Sequence, residues 1–245
     1  MREIDFLEAE RKVRSDYSQV SQTYRRDDEV EVTTENHRHL GRRLKEVCHS
    51  FEHPIRALDV GCGTGRYFHC LENVRSLVGL DVSEEMLTAA REPVRAEELS
   101  VGAIELRRGN VYLADFAAGS FDFIYCLGMF GHGCPLTLEV CDKFFQWLAP
   151  GGRLFFNAID PAGLPVDFRF RRWLRSLIYP VAGKSLRRWF DERERLSPFF
   201  CLSRQELEQL MARTPFNRFQ ISSRKITSPL WKGRHLECLA IKPPA

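Results

Sequence analysis

The residues with the clearest chemical spacing lie at the end of a short apolar run. Ile55-Arg56-Ala57-Leu58-Asp59-Val60 reads as a strand that passes directly into Gly61-Cys62-Gly63-Thr64-Gly65. Glycines at alternate positions allow a tight turn and let a ligand approach the backbone with no Cβ in the way. Asp81 ends the next apolar run, Ser76-Leu77-Val78-Gly79-Leu80, and follows Gly61 by 20 residues. An acid at that place can accept hydrogen bonds from ribose hydroxyls. In an open α/β sheet the ligand crevice lies beyond the carboxyl ends of the strands, so this pair of features points to a bound ribonucleoside.

One position narrows the nucleoside. A dinucleotide site wants glycine at the sixth place of G-x-G-x-x-G, for close packing of helix on strand. Counted from Gly61, that place is Arg66. The dinucleotide reading loses a contact it needs, whereas a cofactor without a pyrophosphate loses nothing.

The elements that must position these residues follow from periodicity. Residues 1–50 are polar and read as helical, ending in an amphipathic run with Leu40, Leu44 and Val47 at helical spacing. After the strand and glycine turn, a helix is expected over Arg66–Glu72. Strand Ser76–Asp81 and a helix capped by Ser83 come next. Ile104–Arg107 and Phe121–Leu127 read as strands, and Thr137–Leu148 as a helix stopped by Pro150-Gly151-Gly152. Arg153–Ala158 is the fifth strand. Strands separated by helix-length segments imply parallel pairing through right-handed crossovers. The rhythm lapses for about forty residues after Ile159, then resumes with a helix near Arg204–Met211 and strands Arg218–Arg224 and His235–Ile241. The gap between those two strands is too short for a crossover helix, so they should pair antiparallel.

At this point the sequence resembles the class I S-adenosylmethionine-dependent methyltransferases, of the bacterial small-molecule type. Leu58-Asp59-Val60-Gly61-Cys62-Gly63-Thr64-Gly65 is similar to their first motif, and Val78-Gly79-Leu80-Asp81-Val82-Ser83-Glu84-Glu85-Met86-Leu87 to their second. Phe121-Asp122-Phe123-Ile124 and Leu148-Ala149-Pro150-Gly151-Gly152-Arg153-Leu154 match the fourth-strand and fifth-strand patterns in the right order. The resemblance implies a Rossmann-like doubly wound α/β sheet of seven strands, in the order 3-2-1-4-5-7-6 with strand 7 antiparallel. It implies an N-terminal helical lid over 1–50, and a methyltransferase domain over 51–245 with a helical substrate insert at about 160–200. The cofactor would be S-adenosylmethionine, leaving as S-adenosylhomocysteine.

Carried over by position, Gly61, Cys62 and Gly63 border the methionine part, with Asp59 ordering that loop and the cofactor's amino group. Asp81 holds both ribose hydroxyls, and Val82 and Met86 flank the adenine. Asn110 and Val111 contact the adenine edge, and Cys126 and Leu127 supply backbone at the fourth strand end. Many relatives place aspartate where Asn110 stands. The alternative for each residue is structural; Met86, for example, could be a core methionine. Asp59 and Asp81 are poor core residues, since an unpaired buried carboxylate is costly.

A methyl group on a sulfonium is already electrophilic, so the protein's main task is to position the acceptor. A general base helps only an acceptor that loses a proton. His132, in Gly128-Met129-Phe130-Gly131-His132-Gly133, is the candidate base, although it could equally cap a helix or line the pocket. Tyr24 is a candidate for closing over the cofactor and Tyr17 for the acceptor side; both could instead be packing tyrosines.

Acceptor specificity is expected in the segment after the fifth strand. Over 160–200, nine basic residues face five acids, so that segment carries +4 of a chain whose net charge is +3. Phe170, Trp173, Leu174, Leu177 and Ile178 share one helical face, with Arg169, Arg171, Arg172 and Arg175 on the other. This reads as a lid with Arg171, Arg172 and Arg175 toward a small, anionic acceptor. A basic amphipathic helix on a membrane surface, acting on a lipid-like acceptor, is the competing reading. An RNA methyltransferase is a further alternative; a +4 segment is a modest footprint, so nucleic acid is not the expected partner. A non-catalytic nucleoside-binding scaffold is the most remote.

At 245 residues, 44% hydrophobic and 28% charged, the chain has the composition of one globular α/β domain. No apolar stretch approaches the roughly 18 to 20 residues that span a bilayer, and the N-terminus lacks the apolar core of a secretion signal. A cytoplasmic location is expected. The eight cysteines form no C-x-x-C pair. They read as reduced, packed thiols rather than a metal site, the metal alternative being His132, Cys134 and Cys141.

Overall fold

The computed structural model describes residues 21–131, 134–164, 178, 183, 200–229 and 232–244, with side chains from residue 25 onward. Its centre is a seven-stranded sheet in the order β3-β2-β1-β4-β5-β7-β6. The strands are β1 Ile55–Val60, β2 Val74–Asp81, β3 Ile104–Arg108, β4 Phe121–Phe130, β5 Leu148–Ile159, β6 Arg218–Thr227 and β7 Lys232–Ile241. β1 pairs in parallel with β2 and β4, β2 with β3, and β4 with β5. β7 runs antiparallel between β5 and β6. This is the expected strand order and sense.

The described helices are α1 Ser21–Glu31, α2 Glu35–His49, α3 Glu84–Ala90, α4 Leu138–Trp147 and α5 Arg204–Met211. Four start on a hydroxyl cap: Thr34, Ser83, Thr137 and Ser203 each accept from the backbone N–H three residues on, satisfying one of the donors a helix start leaves unpaired. The central strands are buried along nearly their whole length because both sheet faces are covered. One face packs Leu40, Leu44 and Val47 of α2 and Leu87 and Ala90 of α3 against Ile55, Ala57, Phe123 and Tyr125. The opposite face packs Val140, Phe144 and Trp147 of α4 and Leu207 and Met211 of α5 against Leu58, Val60, Ile124 and Phe156. Edge strand β3 is mostly exposed and carries Glu105, Arg107 and Arg108, charges that discourage pairing with another chain.

Two local expectations are corrected. Arg66–Glu72 is not an α-helix; it holds turns and one short 3-10 turn over Phe68–Cys70. A full crossover helix is unnecessary there because α2 already covers Phe68, Cys70 and Leu71 on that face. β5 begins at Leu148 rather than Arg153, and its pairing with β4 shifts register between Phe121 and Phe123, so Pro150-Gly151-Gly152 forms an irregular entry rather than a stop. The insert expected over 160–200 lies outside the described residues, apart from 160–164, 178, 183 and 200. So does the first part of the N-terminal segment, 1–20.

Candidate functional site

The glycine turn closes on the end of β2. The Gly61 and Cys62 N–H groups both donate to the Leu80 carbonyl, at 2.8 and 3.1 Å. Gly61, Gly63 and Gly65 all take positive φ, at 72°, 52° and 75°. They are not equivalent. A Cβ on Gly65 would meet the Phe68 ring at 2.8 Å, and one on Gly61 would meet Met129 Sδ at 3.0 Å. A Cβ on Gly63 would meet nothing within 4 Å. Gly63 is therefore the glycine with open space over its backbone.

Asp81 sits beside that space. Its two carboxylate oxygens each take one backbone N–H, Oδ2 from Gly63 at 2.9 Å and Oδ1 from Ser83 at 3.0 Å. An ionised carboxylate offers about four acceptor sites, so about two remain for a ligand's hydroxyls. Burial raises its pKa, while the N–H groups of Ser83, Gly63 and Val82 act against that rise.

Asp59 lies beneath the turn, 3% exposed. Burial pushes its carboxyl up to about 8; the neighbouring Tyr125 hydroxyl lowers it and the Asp81 charge raises it further. The Tyr125 hydroxyl is itself buried beside that carboxyl, and among the described residues it completes no hydrogen bond of full geometry. The pair is thus a buried acid and a buried phenol with no cation beside them among the described residues, an arrangement that a ligand's ammonium group would complete.

The remaining predicted contacts divide. Val82 is half-buried at the start of the turn into α3, and Met86 is buried at 2% exposure. Val111 and Cys126 belong to the core on one side of the sheet, Leu127 to that on the other. Cys62 is buried and burial holds its thiol protonated. Asn110 is buried, and its Oδ1 accepts from the Tyr112 N–H at 3.0 Å, so an adenine contact through that oxygen would use its second lone pair. The side chain of Tyr24 lies outside the described residues, as do Tyr17, His132, Arg171, Arg172 and Arg175.

Several residues at the site carry no motif signal. Asp28 of α1 is fully buried and accepts from both the Thr64 hydroxyl and the Arg66 guanidinium. Burial works against the Arg66 charge, but Asp28 together with Tyr67 and Glu31 outweighs it and holds the guanidinium protonated. The position read as a missing packing glycine is thus a side chain that leaves the turn to grip the N-terminal helix. Arg25 ties the same helix to the end of α3 through the Ala89 carbonyl at 3.3 Å. On the other side, Asn157 Oδ1 accepts from the Gly128 N–H at 2.8 Å, where β4 leaves its register with β5 between Cys126 and Phe130. This opens the β4 end and sets Met129 against Gly61. A polar residue inside the apolar run Leu154–Ile159 was a readable signal for Asn157; Asp28, 36 residues from Thr64, offered none.

Comparison with known proteins agrees with this geometry. Residues 57–152 match the model of a methyltransferase domain family. The chain is 29% identical over 140 residues to a demethylmenaquinone methyltransferase of Shouchella clausii, covering 56% of this chain and 58% of that one. It is 32% identical over 106 residues to a ubiquinone biosynthesis O-methyltransferase of Methylococcus capsulatus, covering 43% and 44%. The chain thus spans about half the length of these curated relatives. A solved SAM-dependent methyltransferase from Methanosarcina mazei superposes with a TM-score of 0.57 at 17% identity, covering 82% of this chain and 98% of that one; this likeness speaks to the fold.

Proposed function

We propose that this chain, whose residues 57–152 match a methyltransferase domain family, is a class I S-adenosylmethionine-dependent methyltransferase that transfers a methyl group to a small-molecule acceptor of the quinone type. The observation that carries the reading is Asp81, a carboxylate fixed by two backbone N–H groups at a strand end beside the one glycine of the turn whose face is open. When bound, the cofactor supplies an electrophilic methyl group on sulfur. Asp81 would take the ribose hydroxyls on its free lone pairs. Asp59 would meet the ammonium group, and the bare face of Gly63 would admit the methionine chain. Val82 and Met86 would flank the adenine, with Asn110 and Val111 at its edge and the backbone of Cys126 and Leu127 closing the far side.

In this reading the enzyme's own contribution is positioning, which is worth several orders of magnitude when the reacting atoms are held in line. α1 and α2 belong to the N-terminal lid segment, with Tyr17 and Tyr24 closing over the ligands. His132 is the proposed base for an acceptor that must lose a proton. The acceptor class is supported by the names of the relatives, one a demethylmenaquinone methyltransferase and one a ubiquinone biosynthesis O-methyltransferase. The +4 segment favours an anionic acceptor as the second reading, gripped by Arg171, Arg172 and Arg175.

Incubation with methyl-labelled S-adenosylmethionine and a panel of acceptors separates these. The panel holds a reduced demethylated naphthoquinone, a phosphorylated amine and a transfer RNA. Label is expected in the reduced quinone. Label in the phosphorylated amine, lost on replacing Arg171, Arg172 and Arg175 together, would move the assignment to the anionic acceptor, and label in RNA would overturn both.

A further inference from the structure

Behind the glycine turn, three side chains that the methyl-transfer reading does not use converge. His37 of α2 points Nε2 at His69 Nε2, 3.2 Å away. Cys70 Sγ lies 3.6 Å from the first nitrogen and 3.4 Å from the second. We propose that His37, His69 and Cys70 form a binding site for a zinc-class divalent ion, which fastens α2 to the connection between β1 and β2.

The distances fit the ion. A tetrahedral centre with Zn–N near 2.05 Å and Zn–S near 2.3 Å separates its two nitrogens by about 3.3 Å and each nitrogen from the sulfur by about 3.6 Å. The three observed separations lie within a few tenths of an ångström of those values. The ring centroids of His37 and His69 are 5.1 Å apart; two imidazoles bound through Nε2 at the tetrahedral angle place theirs about 5.2 Å apart.

The surroundings fit as well. Among the described residues the two Nδ1 atoms are buried with no hydrogen-bond partner, so each ring can carry its proton on Nδ1, and the two Nε2 atoms, which meet each other and the sulfur, can then both turn a lone pair on a metal. Tyr67 stacks on the His37 ring at 4.9 Å and fixes its plane. His69 is half-buried, which leaves one side through which water can enter as a fourth ligand. On α2 itself, a Cβ at Gly41 would meet Cys70 Sγ at 2.9 Å. A glycine inside a helix is unfavourable relative to alanine, and here it makes room for the sulfur. Imidazole and thiolate donors suit zinc over magnesium or calcium.

Cysteine spacing alone does not reveal such a site, because His37 and Cys70 stand 33 residues apart. The test uses the full, untagged chain after chelator treatment, titrated with cobalt(II) and then zinc. We expect one equivalent of cobalt with a thiolate-to-metal charge-transfer band that zinc displaces, together with a zinc-dependent rise in Tm. Cys70→Ser should abolish the band, and His69→Gln should weaken binding by about 100-fold or more. Cys201→Ser, which changes a different buried thiol, should leave both untouched. The proposal is overturned if the wild-type chain takes up no equivalent and shows no Tm change. It is equally overturned if Cys70→Ser, folded by circular dichroism, keeps the charge-transfer band.

Discussion

Asp59 holds a carboxyl that burial pushes up to about 8, and the sign of its effect is definite. A carboxyl whose pKa is higher folded than unfolded favours the protonated fold. Its stabilising contribution is complete below the unfolded value of about 4 and is lost as pH rises through about 8. The ligand-free chain should therefore lose on the order of a few kcal/mol across that window, and Asp59→Asn should remove most of the slope. Denaturant melts across the pH range check this, and an unchanged slope in the variant would place the titrating group elsewhere. The glycines give a second residue-level contrast. Gly65→Ala drives a Cβ into the Phe68 ring and should destabilise by more than about 2 kcal/mol. Gly63→Ala meets nothing; it should cost only about 1–2 kcal/mol of backbone strain while weakening cofactor binding. Equal losses of stability in both variants would contradict the distinction. The placement of Asp81 and the glycines at the strand ends was legible because their spacing follows the strands that carry them. The detail that the Asn110 oxygen caps its own turn was not.

Helix α1 is held to the glycine turn by Asp28, through the Thr64 hydroxyl and the Arg66 guanidinium. Breaking a buried pair by removing one partner leaves the other charge uncompensated, at about 3 kcal/mol or more. Asp28→Ala should cost that much in a chemical melt and should raise hydrogen exchange in α1 and in residues 61–66 together. Faster exchange in α1 alone would show that the helix does not hold the turn. This coupling escaped the sequence because helical periodicity reports which face is apolar, not which distant loop a buried acid meets. The same limit explains the missing crossover helix: Arg66–Glu72 reads as a helix by itself, yet α2 from an earlier stretch fills that place on the sheet. Elements whose signal is local came through well. Ser83 caps its helix as its place before an apolar periodic run implied, and the short gap before β7 dictated its antiparallel pairing with β6.

For the whole molecule, the strand order came from the resemblance of the motifs to the class I methyltransferases, and the observed order matches it; the alternation of strands and crossovers gave only the parallel pairing of the first five strands. Among the described residues no helix is long and apolar enough to cross a membrane. The acceptor was less legible, since the segment proposed to choose it, 160–200, interrupts the strand–helix alternation from which the fold is read. The central claim concerns the cofactor, and calorimetry tests it most directly. Titration of the full chain with S-adenosylhomocysteine and, separately, with NAD should show one equivalent of the first bound and none of the second. Asp81→Ala should remove two hydrogen bonds to a charged acceptor, each worth about 1.5–3 kcal/mol, and weaken binding by well over tenfold while the fold persists. Binding of NAD without S-adenosylhomocysteine, or unchanged affinity in Asp81→Ala, would contradict the account.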